Sequence, residues 1–270
     1  MALDLSRVSG SLSLPAADSG ILFASVTKAS AFQKAATQIS LPGTGTTVHN
    51  IGKTTASVVG ETDIKPVSTP ALASKTVTAH TFSVLVPVSN QLLSDASAIV
   101  NVIKNDAPLA IAAKFDAIVA GEGTAPSNFA ALDAAASQEV SNYATFIAAL
   151  GAVAANGSRP TAVVLSTAMF YNLLAIVNGL GAPAFAITDS TINGLPYYLY
   201  DAAAAEGYVG DFSRAVWGNV EGVSLATSDS ATITGVGNLF ERNMTAIRVE
   251  ARLGFQIADI ADFVKIVAAA

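Results

Sequence analysis

The sequence predicts an α+β fold of extended outline, and three observations carry that expectation. The first is the run T-A-I-R-V-E-A-R-L-G-F-Q-I over residues 245–257. Thr245, Ile247, Val249, Ala251, Leu253, Phe255 and Ile257 fall on one side of it, and Arg248, Glu250, Arg252 and Gln256 on the other. Alternation with period two sends successive side chains to opposite faces, so the run is a strand. Its reach is about 43 Å, well beyond a usual strand. The second is an apolar stripe at spacings of three and four through Leu92, Ala96, Ile99, Ile103, Ala107, Ile111, Phe115 and Ile118. That is a helix of roughly 45 Å. The third is a Thr-, Val- and Ser-rich stretch, residues 44–80, with few large apolar residues.

The elements follow in order. Residues 1–23 are Ser-, Leu- and Ala-rich, with Gly10, Pro15 and Gly20 and no sustained period, and read as an arm lying on other subunits. Residues 26–36 have a short helical pattern, and residues 37–41 alternate like a strand until Pro42-Gly43 stops them. In the 44–80 stretch, Gly60-Glu61-Thr62-Asp63 makes a turn between two extended legs. Legs of about fifteen residues reach roughly 50 Å, whereas a compact chain of this length has a radius of gyration near ~18 Å. Such a hairpin either waves in solvent or lies on a neighbour, and its composition is not that of disorder. A neighbour is expected.

Residues 81–88 form a strand with Phe82, Val84 and Val86 on one face. In the long helix Pro108 removes a backbone donor and Asp106 can cap a restarted helix, so a kink or break is expected near Asn105. Gly121-Glu122-Gly123 ends the helix. Residues 142–155 read as a second helix, 161–165 as a buried strand, and Ser166 as the cap of a helix running to about residue 177. Short strands follow near 195–200 and 215–217. This middle part is expected to form a compact α/β domain between the long helix and the long strand.

Composition narrows the function. The chain has 270 residues and 27.3 kDa, is 51% hydrophobic and only 13% charged. About a quarter charged is usual for a soluble domain. A subunit that hides much of its surface against copies of itself fits better than a solvated monomer. The net charge of −6 and pI near 4.8 come with no basic stripe to grip phosphates, though enclosing nucleic acid without tight binding stays compatible. There are no cysteines, which excludes disulfides, thiolate nucleophiles and Cys-ligated metals. The N-terminus lacks the apolar core of a signal peptide, and the longest mostly apolar run, residues 144–155, is too short to span a membrane. An intracellular, soluble chain is expected.

Several motifs, in order along residues 26–266, resemble tailed-phage major capsid proteins of the Hong Kong 97-type fold. Val59-Gly60-Glu61 with Lys65-Pro66 resembles that family's extended loop, and Val86-Pro87-Val88-Ser89 with Leu92-Leu93-Ser94-Asp95 the lead into its spine helix. Phe115-Asp116 with Gly121-Glu122-Gly123 resembles the end of that helix. Gly194-Leu195-Pro196 and Gly210-Asp211-Phe212 resemble its middle domain. Phe240-Glu241-Arg242-Asn243, the long strand and Ala261-Asp262-Phe263-Val264-Lys265-Ile266 resemble its C-terminal run.

The resemblance implies an N-terminal arm and lead-in strand over 1–43 and an extended β-hairpin loop over 44–80. It implies a peripheral domain over 81–141 and 226–257, with the spine helix and long strand, and an α/β axial domain over 142–225 and 258–270. It further implies hexamers and pentamers closing into an icosahedral virion shell, assembled in the host bacterial cytoplasm. The shell would enclose double-stranded DNA without sequence-specific binding, with a portal and scaffolding or decoration proteins as partners and no membrane. Many relatives begin with a long cleavable scaffolding segment, whereas a mature-like sequence starts here almost at once; a separate scaffold, or none, is expected. An encapsulin-type compartment enclosing a cargo enzyme is the alternative, and a stand-alone α/β enzyme a third reading.

Chemistry is sparse. His49 and His80 fall in the expected hairpin, outside metal-ligand spacing, and no metal or cofactor is expected. Gly52-Lys53-Thr54 mimics the end of a phosphate-binding loop, but Thr47 stands where its first glycine belongs, and no Gly-x-Ser-x-Gly elbow occurs. Trp217 and Tyr197, Tyr198 and Tyr200 are expected in the axial core or its capsomer contact. By resemblance, Lys65, Asn243 and Glu250 match the residues of crosslinking relatives: a neutral lysine would attack the Asn243 amide and expel ammonia, with Glu250 taking a proton. The plainer alternative has Lys65 ion-paired at the hairpin tip, Asn243 turning the chain into the strand, and Glu250 paired with Arg248 or Arg252. Asn243 and Glu250 are seven apart and face opposite ways on a straight strand, so one chain would not supply both to one site. Glu61, Lys65, Arg248, Glu250 and Arg252 are the candidate intersubunit contacts.

Overall fold

A computed structural model describes residues 29–52, 54–95, 98–178, 181–202 and 204–269. Residues 1–28 of the expected arm lie outside the described residues.

Helix α1, Ala31–Ala35, starts where the Ser30 side chain accepts from Gln33 N, and leads into β1, Thr37–Ser40. Strands β2, Thr46–Ile51, and β3, Leu72–Val77, pair antiparallel from Thr46↔Val77 to Ile51↔Leu72. Each strand has 6 residues, so the ladder covers less than half of the expected fifteen-residue legs. Pro66 and Pro70 on the return leg have no N–H to offer a longer ladder. β4, His80–Ser89, takes His80 out of the hairpin in which it was expected.

Helices α2, Asn90–Asp95, and α3, Ala98–Val119, carry the apolar stripe. α3 runs through Pro108, so the break expected near Asn105 does not interrupt it. An interior proline costs a helix about 3 kcal/mol. Burial of Ala107, Ile111, Ala112 and Phe115 against the sheet outweighs that. Gly121, with φ of 90°, turns the chain away after the last turn.

β5, Ala136–Val140, precedes α4, Tyr143–Ala155, which Asn142 and Thr145 open with a reciprocal capping box. β6, Ala162–Ser166, is buried throughout, and Ser166 caps α5, Thr167–Ala175. Then come β7, Thr191–Ile192, β8, Leu195–Tyr200, β9, Glu206–Gly210, β10, Ala215–Asn219, and β11, Ser224–Ser228. A small hairpin of β12, Thr232–Ile233, and β13, Gly237–Asn238, leads to β14, Met244–Ile257, and finally β15, Phe263–Ala268.

The long strand organises the first sheet. Leu253 is partnered by both Asn219 and His80, so β10 and β4 lie on opposite edges of β14. β4 covers Met244 to Leu253 on one edge, while β11 and β10 follow one another along the other. A 14-residue strand is what lets one edge hold two strands end to end. β1 adds in parallel outside β10. On the face of this sheet packed by α3, Phe82, Phe115, Phe129 and Phe255 interlock at centroid distances of 5.7 to 6.4 Å.

The second sheet has the order β5-β15-β9-β6-β8-β7. Its central strand is apolar on both faces because both are covered. Val163 and Leu165 pack with Phe146, Val153, Met169 and Leu173 of α4 and α5. Ala162 and Val164 face the main core with Phe32, Tyr208 and Phe212. That core runs on through Phe115, Trp217 and Phe255, so the two sheets share it.

Strand membership corrects two boundaries. β10, placed with the axial unit from the sequence, and β11, divided between the two units at residue 225, both pair with β14, and Trp217 lies opposite Phe255 in the core the two sheets share. β5, placed with the peripheral unit, pairs with β15 in the six-stranded sheet. Both are non-local pairings, which period and turn signals along the chain do not encode. Tyr200 is buried in the main core, while Tyr197 stacks on Phe170 with centroids 5.2 Å apart.

Candidate functional site

Beyond the Ile51↔Leu72 pair the described residues of the hairpin are exposed almost throughout. Thr55 N donates to Ser68 Oγ at 2.9 Å, holding the legs together. The turn is where the sequence placed it: Gly60 N donates to Asp63 Oδ2 at 3.0 Å, and Asp63 N to Gly60 O at 3.3 Å. Around it Val58, Ile64 and Val67 are 104%, 93% and 87% exposed. Burying each such side chain is worth about 1.5–3 kcal/mol, a gain this chain alone does not realise. Glu61 and Lys65 are exposed at the same end.

The head of the long strand is the second region. Asn243 has φ of 53° and turns the chain into β14, as the plainer sequence alternative expects. Its carbonyl side-chain oxygen accepts from Asn90 Nδ2 at 2.6 Å, and its backbone oxygen from Asn90 N at 2.8 Å. Asn90 Oδ1 in turn accepts from Thr245 Oγ1 at 2.9 Å. Glu250 pairs with Arg248, Nε to Oε1 3.2 Å. Seven residues of strand separate Asn243 from Glu250 by about 23 Å, so one chain does not bring them to one reaction centre. Among the described residues no ion pair or hydrogen bond joins Lys65 to Asn243, Glu250 or any other group. Beside Arg248 a groove of about 290 Å³ is lined by Leu85, Ala226, Ile233 and Ala246.

Three polar clusters had no role assigned from the sequence, although Asp116, Asp262 and Lys265 stood in its motifs. Asp116 on α3 accepts from Ser30 Oγ at 2.5 Å, Ala31 N at 2.8 Å and Phe32 N at 3.4 Å, and so caps α1 from another element. Burial pushes its carboxyl up to about 6, against the opposing pull of those hydrogen bonds and of Lys34. Lys265 on β15 lies 2.7 Å from Asp133 Oδ1 and 2.8 Å from Glu206 Oε2. Burial would lower its pKa, but those two carboxylates outweigh burial and hold it above the ordinary value. Burial, with Glu206 alongside, pushes the Tyr200 and Tyr208 hydroxyls up, so both stay protonated donors. The third cluster joins Arg214 to Asp262 at 3.1 Å. A carboxylate inside the apolar stripe, next to Phe115, was a signal for Asp116 beside the motif it stands in.

His49 Nδ1 lies 2.8 Å from Ser74 Oγ across the hairpin, and His80 Nε2 lies 2.8 Å from Ser127 O. Among the described residues no group of three His, Cys, Asp or Glu side chains is placed to hold a metal ion, and no helix is long and apolar enough to cross a membrane.

The phage capsid family model matches residues 12–268. The chain belongs to the phage capsid family. This capsid protein is 27% identical over 281 residues to a probable major capsid protein of Mycobacterium phage L5, covering 90% of this chain and 86% of that one. A solved chain from Mycobacterium phage Bobi has a TM-score of 0.73 at 24% identity, with 89% and 91% covered. One from Gordonia phage Cozz also reaches 0.73, at 19% identity, with 88% and 86% covered. These likenesses show the same mixed helix-and-sheet fold. The protein is therefore a structural major capsid protein of a bacteriophage, not an enzyme; the cargo-compartment alternative is not favoured. Capsid proteins assemble with their own copies into the virion shell.

Proposed function

We propose that this capsid protein closes an icosahedral head from hexamers and pentamers, in the Hong Kong 97-type manner, around the double-stranded DNA of a tailed phage. In this reading the sheet around β14 with α2 and α3 is the peripheral domain, the six-stranded sheet with α4 and α5 is the axial domain, and β2 and β3 root the extended loop. The arm reaches other subunits, a portal occupies one vertex, and assembly takes place in the host bacterial cytoplasm. The observation that carries the reading is the exposed apolar hairpin tip, which needs a surface its own chain does not provide.

A neighbour's β14 face supplies such a surface. Leu85, Ile233 and Ala246 would receive Val58, Ile64 or Val67, and Arg248 at the groove would face Glu61 and Asp63. Glu250 and Arg252 lie further along the same strand, Glu250 already paired with Arg248 within its chain. Electron microscopy of the expressed protein tests the proposal. Closed particles or ring-shaped capsomers are expected; a monodisperse 27.3 kDa monomer across salt conditions, with no particles in virions, contradicts it.

A further inference from the structure

Arg214 lies in the short 3₁₀ turn Phe212–Arg214 that carries the chain from the six-stranded sheet into β10 of the other sheet. One guanidinium serves three segments there. Nε is 3.1 Å from Asp262 Oδ2, in the turn that follows the long strand. Nη1 is 3.4 Å from Ser158 Oγ, past the end of α4, and Ser158 also donates to Asp262 Oδ1. Nη2 donates to Asn50 Oδ1 at 2.9 Å, on the outgoing strand of the hairpin. The Asp262 side chain is 4% exposed, so the carboxylate anchors the arginine in the body of the molecule.

The position of Asn50 makes this contact matter. At its root the hairpin is held by the buried Val77 and by Gln256 Nε2 donating to Thr76 O at 3.3 Å. Asn50 is one pair short of the ladder's outer end, Ile51↔Leu72, after which the chain is exposed. The Arg214–Asn50 bond is therefore the outermost side-chain tie between hairpin and body among the described residues. A lever held only at its root swings; held also near the end of its ladder, it points. The planar fork of an arginine, fixed by a buried carboxylate, suits a directional strut where a lysine's freely rotating ammonium does not.

We propose that Arg214 is a positioning residue that aims the hairpin, locking its direction to the junction of the two sheets through Asn50. The inference rests on the reading of the hairpin as the contact with a neighbouring subunit. It gives that contact a preset angle, so the cost of ordering the hairpin is met in the free subunit and not on docking.

The chain has no cysteine, so two can be introduced and spin-labelled selectively: Val58→Cys near the tip and Tyr171→Cys on α5, both exposed. Distances are measured between them in unassembled subunits, diluted with unlabelled chain to suppress pairs between copies. A narrow distribution is expected in the parent, loss of the narrow peak in Asn50→Ala, and its return in Asn50→Asp, which keeps an acceptor for Nη2. Melting of the body should not change in Asn50→Ala, because the Arg214–Asp262 pair is untouched. Arg214→Lys should broaden the distribution as Asn50→Ala does. An unchanged distribution in Asn50→Ala overturns the proposal, as does a broadening that Asn50→Asp fails to reverse. Assembly kinetics separate the two readings. Slowed shell closure in Asn50→Ala supports both; a broadened distribution with unchanged closure keeps the strut and removes the hairpin as the decisive contact.

Discussion

At the scale of single residues, Asp116 has the clearest consequence. Its folded-state pKa, raised by burial from 3.8 to about 6, means the folded protein binds a proton that the unfolded chain has released between those values. By linkage its contribution favours folding below about pH 4 and is lost as pH rises through about 6, by about 3 kcal/mol at most. Asp116→Asn removes the titration. Urea unfolding of wild type and variant at pH 4 and pH 7 should therefore differ in slope with pH, the wild type losing more stability on going to pH 7. Parallel profiles would show that Asp116 does not titrate between those pH values.

The crosslink candidates are also argued residue by residue. Asn243 is engaged by Asn90, Glu250 by Arg248, and Lys65 is exposed, with no ion pair or hydrogen bond among the described residues. The expected outcome is a single band near the 27.3 kDa of the chain when particles are boiled in denaturant, with Lys65→Ala leaving that band unchanged. A ladder that Lys65→Ala abolishes would mean that a neighbouring subunit supplies what is absent here.

At the scale of elements, the hairpin separates from the fold it leaves. The described residues of 52–71 are exposed almost throughout, whereas Val77 is fully buried and His80 begins β4. The cut that spares the core is therefore narrower than the whole 44–80 stretch. Replacing 52–71 by a two-residue turn between β2 and β3 should leave the circular dichroism and melting of the subunit close to wild type and abolish closed particles. Unfolding of the truncated chain would place these residues in a core; normal particles would remove the hairpin from assembly.

Local signals in the sequence were read correctly where one element satisfied itself. The alternation of 245–257, the cap Ser166 and the turn at Gly60–Asp63 all stand in the structure. What failed was partnership. Nothing along the chain says that β10 and β11 share one edge of β14, since that depends on where β14 ends, not on either strand. Of the kink or break expected near Asn105, a break is absent for the same reason: proline's local penalty was legible, the burial that outweighs it was not.

At the scale of the whole molecule, two quantities compete in assembly. Each subunit carries a net charge of −6, so copies repel one another as they converge. Against that stand the exposed Val58, Ile64 and Val67, each worth about 1.5–3 kcal/mol when covered, and, in the proposed contact, rim pairs such as Arg248 with Glu61, each worth about 0–1 kcal/mol. Apolar burial should win, and salt should help it. At about 0.15 M ionic strength the screening length falls to roughly 8 Å, which weakens repulsion between subunits more than it weakens close apolar contact. Sulfate adds to the effect by strengthening apolar burial. Light scattering of purified subunits should therefore show particles forming at lower protein concentration as sodium sulfate is raised from near zero. Val58→Ser with Ile64→Ser should shift that threshold upward at every salt concentration. Shells that instead dissolve as salt rises would show that ionic pairs between subunits, not the apolar hairpin tip, hold the head together.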